Sequence, residues 1–214
     1  MQRAYGLEIP ETVEEVLRPE RCALLVYDMQ AGIVPHVRDR EAFLSRVLEA
    51  IAAARAARMR VVFCRHVSLP NELSGVFQLR TAMAWQRVAN VDQVKSLFLP
   101  GSPGHELIPE VEPRPSEAVF EKLAMSMFEG TPLELILRDY NLSAFAIVGA
   151  VTEIGIEPTV RHGCDLGFIP VVVTDACGSV DEEAGRRSLE SLDYAAMSLQ
   201  TDVATFVRAL GGAS

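Results

Sequence analysis

The chain has 214 residues, 49% hydrophobic and 23% charged, with a formal net charge of -9. This is the composition of an ordinary globular protein with enough material for one well-buried core, and its negative charge repels a phosphate backbone, so no nucleic-acid partner is expected. Cys22, Cys64, Cys164 and Cys177 lie far apart without a C-x-x-C pair, which argues against a zinc site or a disulfide framework and for free thiols in a reducing cytoplasm.

Along the chain, Met1 to Pro10 lacks an apolar core of signal-peptide length, and no later run approaches the roughly 18 apolar residues of a membrane span. Ala23-Leu-Leu-Val-Tyr27 reads as a buried strand, Ala42 to Ala57 as an amphipathic helix and Arg60 to Cys64 as a second strand. The stretch from Ser68 to Pro113 holds several prolines, three glycines and the only tryptophan, Trp85. It is too long for a turn and too apolar for a disordered linker, and a lid or subunit contact is expected there. Further strands are expected at Ala118 to Phe120, Ala144 to Val148 and Phe168 to Thr174. Helices are expected at Thr131 to Tyr140, over much of Glu153 to Asp165, at Glu182 to Leu192 and at Thr201 to Leu210. The β-α-β alternation with continuously apolar strands predicts one α/β domain over 1–214, a central parallel sheet flanked by helices. Ligands bind such sheets outside the carboxyl ends of the strands. Asp28, Arg65, Thr152 and Asp175 fall at or near those ends.

Asp28 ends an apolar strand, where a carboxylate must be solvated, paired or functional. Lys122 alone would read as a surface charge. Gly155 lies near a predicted helix start, at a cost of about 1 kcal/mol relative to alanine inside a helix, and such a glycine marks close approach of a ligand or another backbone. Thr152 is placed to cap that helix with Glu153 at its positive end. Pro158 requires the helix either to bend or to begin later. No metal is expected, because His36, His66, His105 and His162 are scattered without a second ligand at suitable spacing. The four cysteines read as apolar filler, with Cys64 and Cys177 nearest the predicted strand ends.

Three segments, Tyr27-Asp28-Met-Gln30, Phe120-Glu-Lys122 with Ser126, Phe128, Gly130-Thr131 and Leu133 behind it, and Gly149 to Thr159, together resemble the motifs of the isochorismatase-like (cysteine hydrolase) family. The resemblance covers about residues 20 to 210. It implies a three-layer Rossmann-like isochorismatase fold, a small-molecule substrate, no cofactor, and a homodimer or homotetramer. It also implies Asp28 and Lys122 as the catalytic pair and Gln30, Phe128, Val151, Thr152 and Gly155 around the substrate. Arg87, with Arg80, is added from its place in the middle segment as a partner for a substrate carboxylate. Gly155 stands where most of the family carries the nucleophilic cysteine. The family's cis peptide corresponds here to Val151-Thr152.

Without that thiol three readings stay open. One is vinyl-ether hydrolysis with Asp28 as general acid, as in true isochorismatases, which share Asp-Met-Gln, the lysine and the glycine but carry Tyr-Ala-His where this chain has Val151-Thr152-Glu153. Another is hydrolysis of a small amide, imide or ether by an activated water. The third is a non-catalytic ligand-binding or assembly protein that keeps the fold.

Overall fold

The computed structural model describes residues 1–212, and the last two residues of the expected domain lie outside them. A hairpin, β1 (Gln2–Ala4) and β2 (Leu7–Ile9), and a single helical turn, α1 (Val13–Val16), precede the sheet. The strands of the sheet are β3 (Cys22–Tyr27), β4 (Arg60–His66), β5 (Ala118–Lys122), β6 (Ala144–Ala150), β7 (Ile169–Gly178) and β8 (Leu199–Thr201). Their order is β5-β4-β3-β6-β7-β8, and every neighbouring pair is parallel. The helices are α2 (Arg40–Ala56), α3 (Val76–Gln86), α4 (Leu133–Asp139), α5 (Glu157–Asp165), α6 (Glu182–Tyr194) and α7 (Val203–Gly211).

The continuous apolarity of β3 has a physical cause, since its alternate side chains serve two cores. Cys22, Leu24 and Val26 pack on one face with Phe43, Val47 and Ile51 of α2 and Phe206 of α7. Ala23, Leu25 and Tyr27 pack on the other with Leu133 and Leu137 of α4, Val160 of α5 and Leu192 of α6. A parallel strand covered on both faces has no polar side to present. The stripe on α2, Phe43, Val47, Ala50, Ile51 and Ala54, follows the helical period.

Three local expectations are corrected. The helix expected over Glu153 to Asp165 is split into a π-type turn at Thr152–Ile156 and α5 proper. Pro158 then falls in the first turn of α5, where its missing N–H is not needed. Thr201 ends β8 instead of opening a helix, and the Asp202 carboxylate caps α7 by accepting the N–H of Thr205 at 2.7 Å. The middle segment contains α3, which has no buried residue and hence no apolar stripe to betray it.

From β3 the chain runs outward to β4 and β5, then returns to the other side of β3 for β6, β7 and β8. The switch point therefore lies between the carboxyl ends of β3 and β6, where ligands of open α/β sheets bind. The two ends approach closely there. Gly149 has φ of +117°, and a Cβ on it would lie 2.7 Å from the Tyr27 nitrogen. The cis peptide is Ala150-Val151, one residue earlier than expected. Among the described residues no helix is long and apolar enough to cross a membrane.

Candidate active site

β3 ends at Tyr27 and the chain turns at once. Asp28 adopts a left-handed φ of 42°, and its carbonyl accepts the Gln30 N–H at 2.7 Å. Asp is among the few residues that enter this region readily. The Gln30 amide is fully buried and ties its own turn to the end of β4 and to the loop at His105: it donates to the carbonyls of His66 (2.9 Å) and His105 (2.8 Å) and accepts the His66 N–H (2.7 Å). Gln30 is thus scaffold for the turn that holds Asp28. Gln30→Ala leaves those buried groups unpaired and is expected to cost about 3 kcal/mol, read as a lower urea midpoint at unchanged slope.

The Asp28 carboxylate has a donor on each oxygen. Lys122, from the end of β5, places Nζ 2.7 Å from Oδ2, and the Cys64 thiol donates to Oδ1 at 3.3 Å. Lys122 also donates to the Ala124 carbonyl at 3.3 Å and stands 4.2 Å from the centre of the Tyr27 ring, a cation–π contact. Asp28 is 4% exposed and Lys122 2%. Sequence reasoning gave Cys64 no such part. Its signal is register: β3 and β4 pair Val26 with Phe63, so the next residues, Tyr27 and Cys64, lie side by side.

Gly155 faces Tyr27. A Cβ at position 155 would overlap the phenol hydroxyl and ring carbons, with Cε1 at 2.5 Å. The tyrosine ring fills the room that a nucleophile's side chain would require. Its hydroxyl donates to the Met125 carbonyl, and burial, then the nearby Asp28 and Cys64, hold the phenol well above its usual range, so it stays protonated. The N–H groups of Ile154, Gly155 and Ile156 all turn back onto the Val151 carbonyl, at 3.3, 2.9 and 3.2 Å. Thr152 is not a cap: its buried hydroxyl donates to the Gly178 carbonyl at 3.0 Å. Glu153 instead accepts the N–H groups of Val180 and Asp181, just before α6.

Asp28 opens on a cavity of about 340 Å³ whose walls include Tyr27, His66, Trp85, Phe98, Val151 and Gly155. Of the residues expected around substrate, Asp28, Val151 and Gly155 line it. Lys122 is not in the lining and sits behind Asp28. Phe128 is buried away from it, stacked on Phe168 at 5.7 Å and tilted against Phe145. Arg87 is exposed as the left-handed C-cap of α3, and neither it nor Arg80 lines the cavity. No lysine or arginine does. Burial pushes the Cys22 thiol up to about 12 and raises Cys64, Cys164 and Cys177 as well. None of the four lines the cavity, and among the described residues no group of three or more His, Cys, Asp or Glu gathers to hold a metal.

His66 lies edge-on to Phe98, with ring centroids 5.4 Å apart. Burial first, then the charges of Lys122 and His105, push its pKa from 6.5 down to about 4, with Asp28 opposing. The unfolded chain therefore takes up this proton before the folded one. The stability contributed by neutral His66 is fully present above pH 6.5 and lost as pH falls to about 4, a change of roughly 3 kcal/mol. The measurement is the difference between wild-type and His66→Gln unfolding curves across that window. Parallel curves would remove His66 as the source.

The buried Asp28–Lys122 ion pair beside a small cavity lies at the switch point of a doubly wound α/β sheet, where proteins of this class bind their ligands. The isochorismatase domain model matches residues 22–204, and the chain belongs to the isochorismatase family. A cysteine hydrolase from Pseudomonas syringae pv. phaseolicola superposes with a TM-score of 0.78 at 24% identity, covering 92% of this chain and 95% of that one. An isochorismatase family protein from Desulfovibrio vulgaris gives 0.75 at 20% identity over 89% and 98%. A ribonuclease from Caenorhabditis elegans gives 0.70 at 17% identity over 91% and 83%. At these identities the neighbours speak to fold, and one fold carries differently named activities.

Proposed function

We propose that this chain is a small-molecule hydrolase that activates water at Asp28 without attaching substrate to residue 155. The observation that carries the reading is the Asp28–Lys122 pair at 2.7 Å, with its carboxylate in the cavity wall. Asp28 takes a proton from water as the oxygen adds to an electrophilic carbon, and returns it to the departing group. Lys122 positions Asp28 and acts through it. Both carboxylate oxygens already accept from a donor, yet each retains a lone pair for water, which supports the base role over the general-acid role that vinyl-ether hydrolysis needs. The cavity also offers no lysine or arginine to pair with a dicarboxylate.

Net charge supports a small molecule over a nucleic acid, and the free cysteines support a reducing, cytoplasmic setting. Exposed Leu73, Val76 and Phe77 in the middle segment support a homodimer or homotetramer. The test is turnover of a panel of small esters and amides in ¹⁸O-labelled water, with Asp28→Asn as control and intact protein mass followed throughout. Hydrolysis that needs Asp28, places one label in the product and leaves the protein mass unchanged is the expected result. Saturable binding with no turnover would assign the chain to the ligand-binding reading.

A further inference from the structure

The cavity at Asp28 is not isolated. It shares His66, Trp85, Gln86, Leu97, Phe98 and Met125 with a second cavity of about 360 Å³ beneath α3. Leu69, Phe77, Leu79, Ala82, Val94 and Leu123 supply the large apolar side chains of its further walls, among neutral polar residues such as Ser68, Asn71 and Thr81. Its one charged lining residue, Lys95, is exposed. The Gln86 amide is already committed, donating to the Lys95 carbonyl at 2.8 Å and accepting the Lys95 N–H at 2.9 Å. That pair of hydrogen bonds between side chain and backbone pins the end of α3 over both spaces.

We propose that the second cavity is an apolar-tail subsite for the substrate hydrolysed at Asp28, so that the substrate is an uncharged ester or amide with a carbonyl at Asp28 and an apolar acyl chain passing Trp85 and Phe98. This deepens the hydrolase reading and rests on it. Water gives a proton to Asp28 while its oxygen bonds to the carbonyl carbon; the carbon–oxygen or carbon–nitrogen bond then breaks, and the alcohol or amine leaves with the proton from Asp28. A carboxylic acid and an alcohol or amine result, with no oxidant or further reactant. A cationic tail would find no acidic partner among these walls, and an anionic one only the exposed Lys95. An alkyl tail gains about fourfold in affinity for each methylene transferred from water.

Calorimetric titration of the full chain with methyl ketones of increasing length reads the subsite without turnover, and p-nitrophenyl esters of the same lengths read catalysis. Kd is expected to tighten about fourfold per methylene until the second cavity is full. Trp85→Ala should lose most of that gain, and Ala82→Phe should stop it at a shorter chain. A Kd independent of length, or dicarboxylates binding tighter than ketones, would overturn the subsite. Asp28-dependent ester hydrolysis that is flat in chain length would overturn it too while leaving the hydrolase reading standing. Length-dependent ketone binding with no ester hydrolysis would do the reverse. A flat ketone series together with a dimer that dissociates on Phe77→Glu would assign this face to a second copy of the chain.

Discussion

Lys122→Met is expected to destabilise the protein by about 3–5 kcal/mol in urea unfolding at neutral pH, because it strands the Asp28 carboxylate in a site 4% exposed. Cys64 would remain as the sole described side-chain donor to Asp28, and a thiol is a weak one. The cost belongs to the orphaned charge more than to the bond lost. Asp28→Asn combined with Lys122→Met should therefore recover to within about 2 kcal/mol of wild type, since a neutral pair of similar volume has little to desolvate. The difference between the double variant and the sum of singles measures the coupling. Turnover should fall about 10²- to 10⁴-fold in Lys122→Met, the range for loss of a positioned acid–base group. A positioning role adds a signature: kcat falls while KM changes little. A stability loss under about 1 kcal/mol would place the pair in contact with water and remove its part in the mechanism.

Gly155→Cys should fail to restore thiol chemistry and should cost about 3 kcal/mol. Overpacking is tolerated when the neighbour can yield, but the neighbour here is an aromatic ring packed in the core, tethered by its hydroxyl to Met125 and covered by the Lys122 ammonium. Tyr27→Val alone should cost about 3 kcal/mol by leaving a void. The two changes together should cost at least 1 kcal/mol less than their sum, because each relieves the fault of the other. Only the double variant is expected to form a covalent adduct with an activated amide or ester, detectable as added mass. An adduct on Gly155→Cys alone would show that the Tyr27 ring moves aside easily.

The fold was legible because burial on both faces of a parallel sheet writes itself as apolar runs, and the runs at Ala23 to Tyr27 and Ala144 to Val148 became β3 and β6 almost residue for residue. The short edge strand β8 and helix α3 were not legible. Three residues of β8 carry no period of their own, and α3 has no fully buried residue. Within the candidate site, Asp28 and Lys122 come together as the motifs implied. Gln30, Thr152 and Phe128 proved to be braces and packing, a distinction that depends on where a side chain points rather than on which residue it is. The pairing of Tyr27 with Gly155 joins residues 128 positions apart, and a lone sequence has no means of recording that the bulk at one compensates for the lack of it at the other.

The four thiols, all raised by burial and none in the cavity lining, bear on how the site would respond to oxidants. Peroxide and electrophiles attack thiolates, and a hydrolase that depends on one is silenced by the first oxidation of its nucleophile. On the proposed reading the reacting groups are a carboxylate and an ammonium, and the one thiol that touches them, Cys64 on Asp28, is buried and held protonated. The proposed chemistry therefore calls for no thiolate, and turnover should survive peroxide at concentrations that silence a thiol-dependent hydrolase.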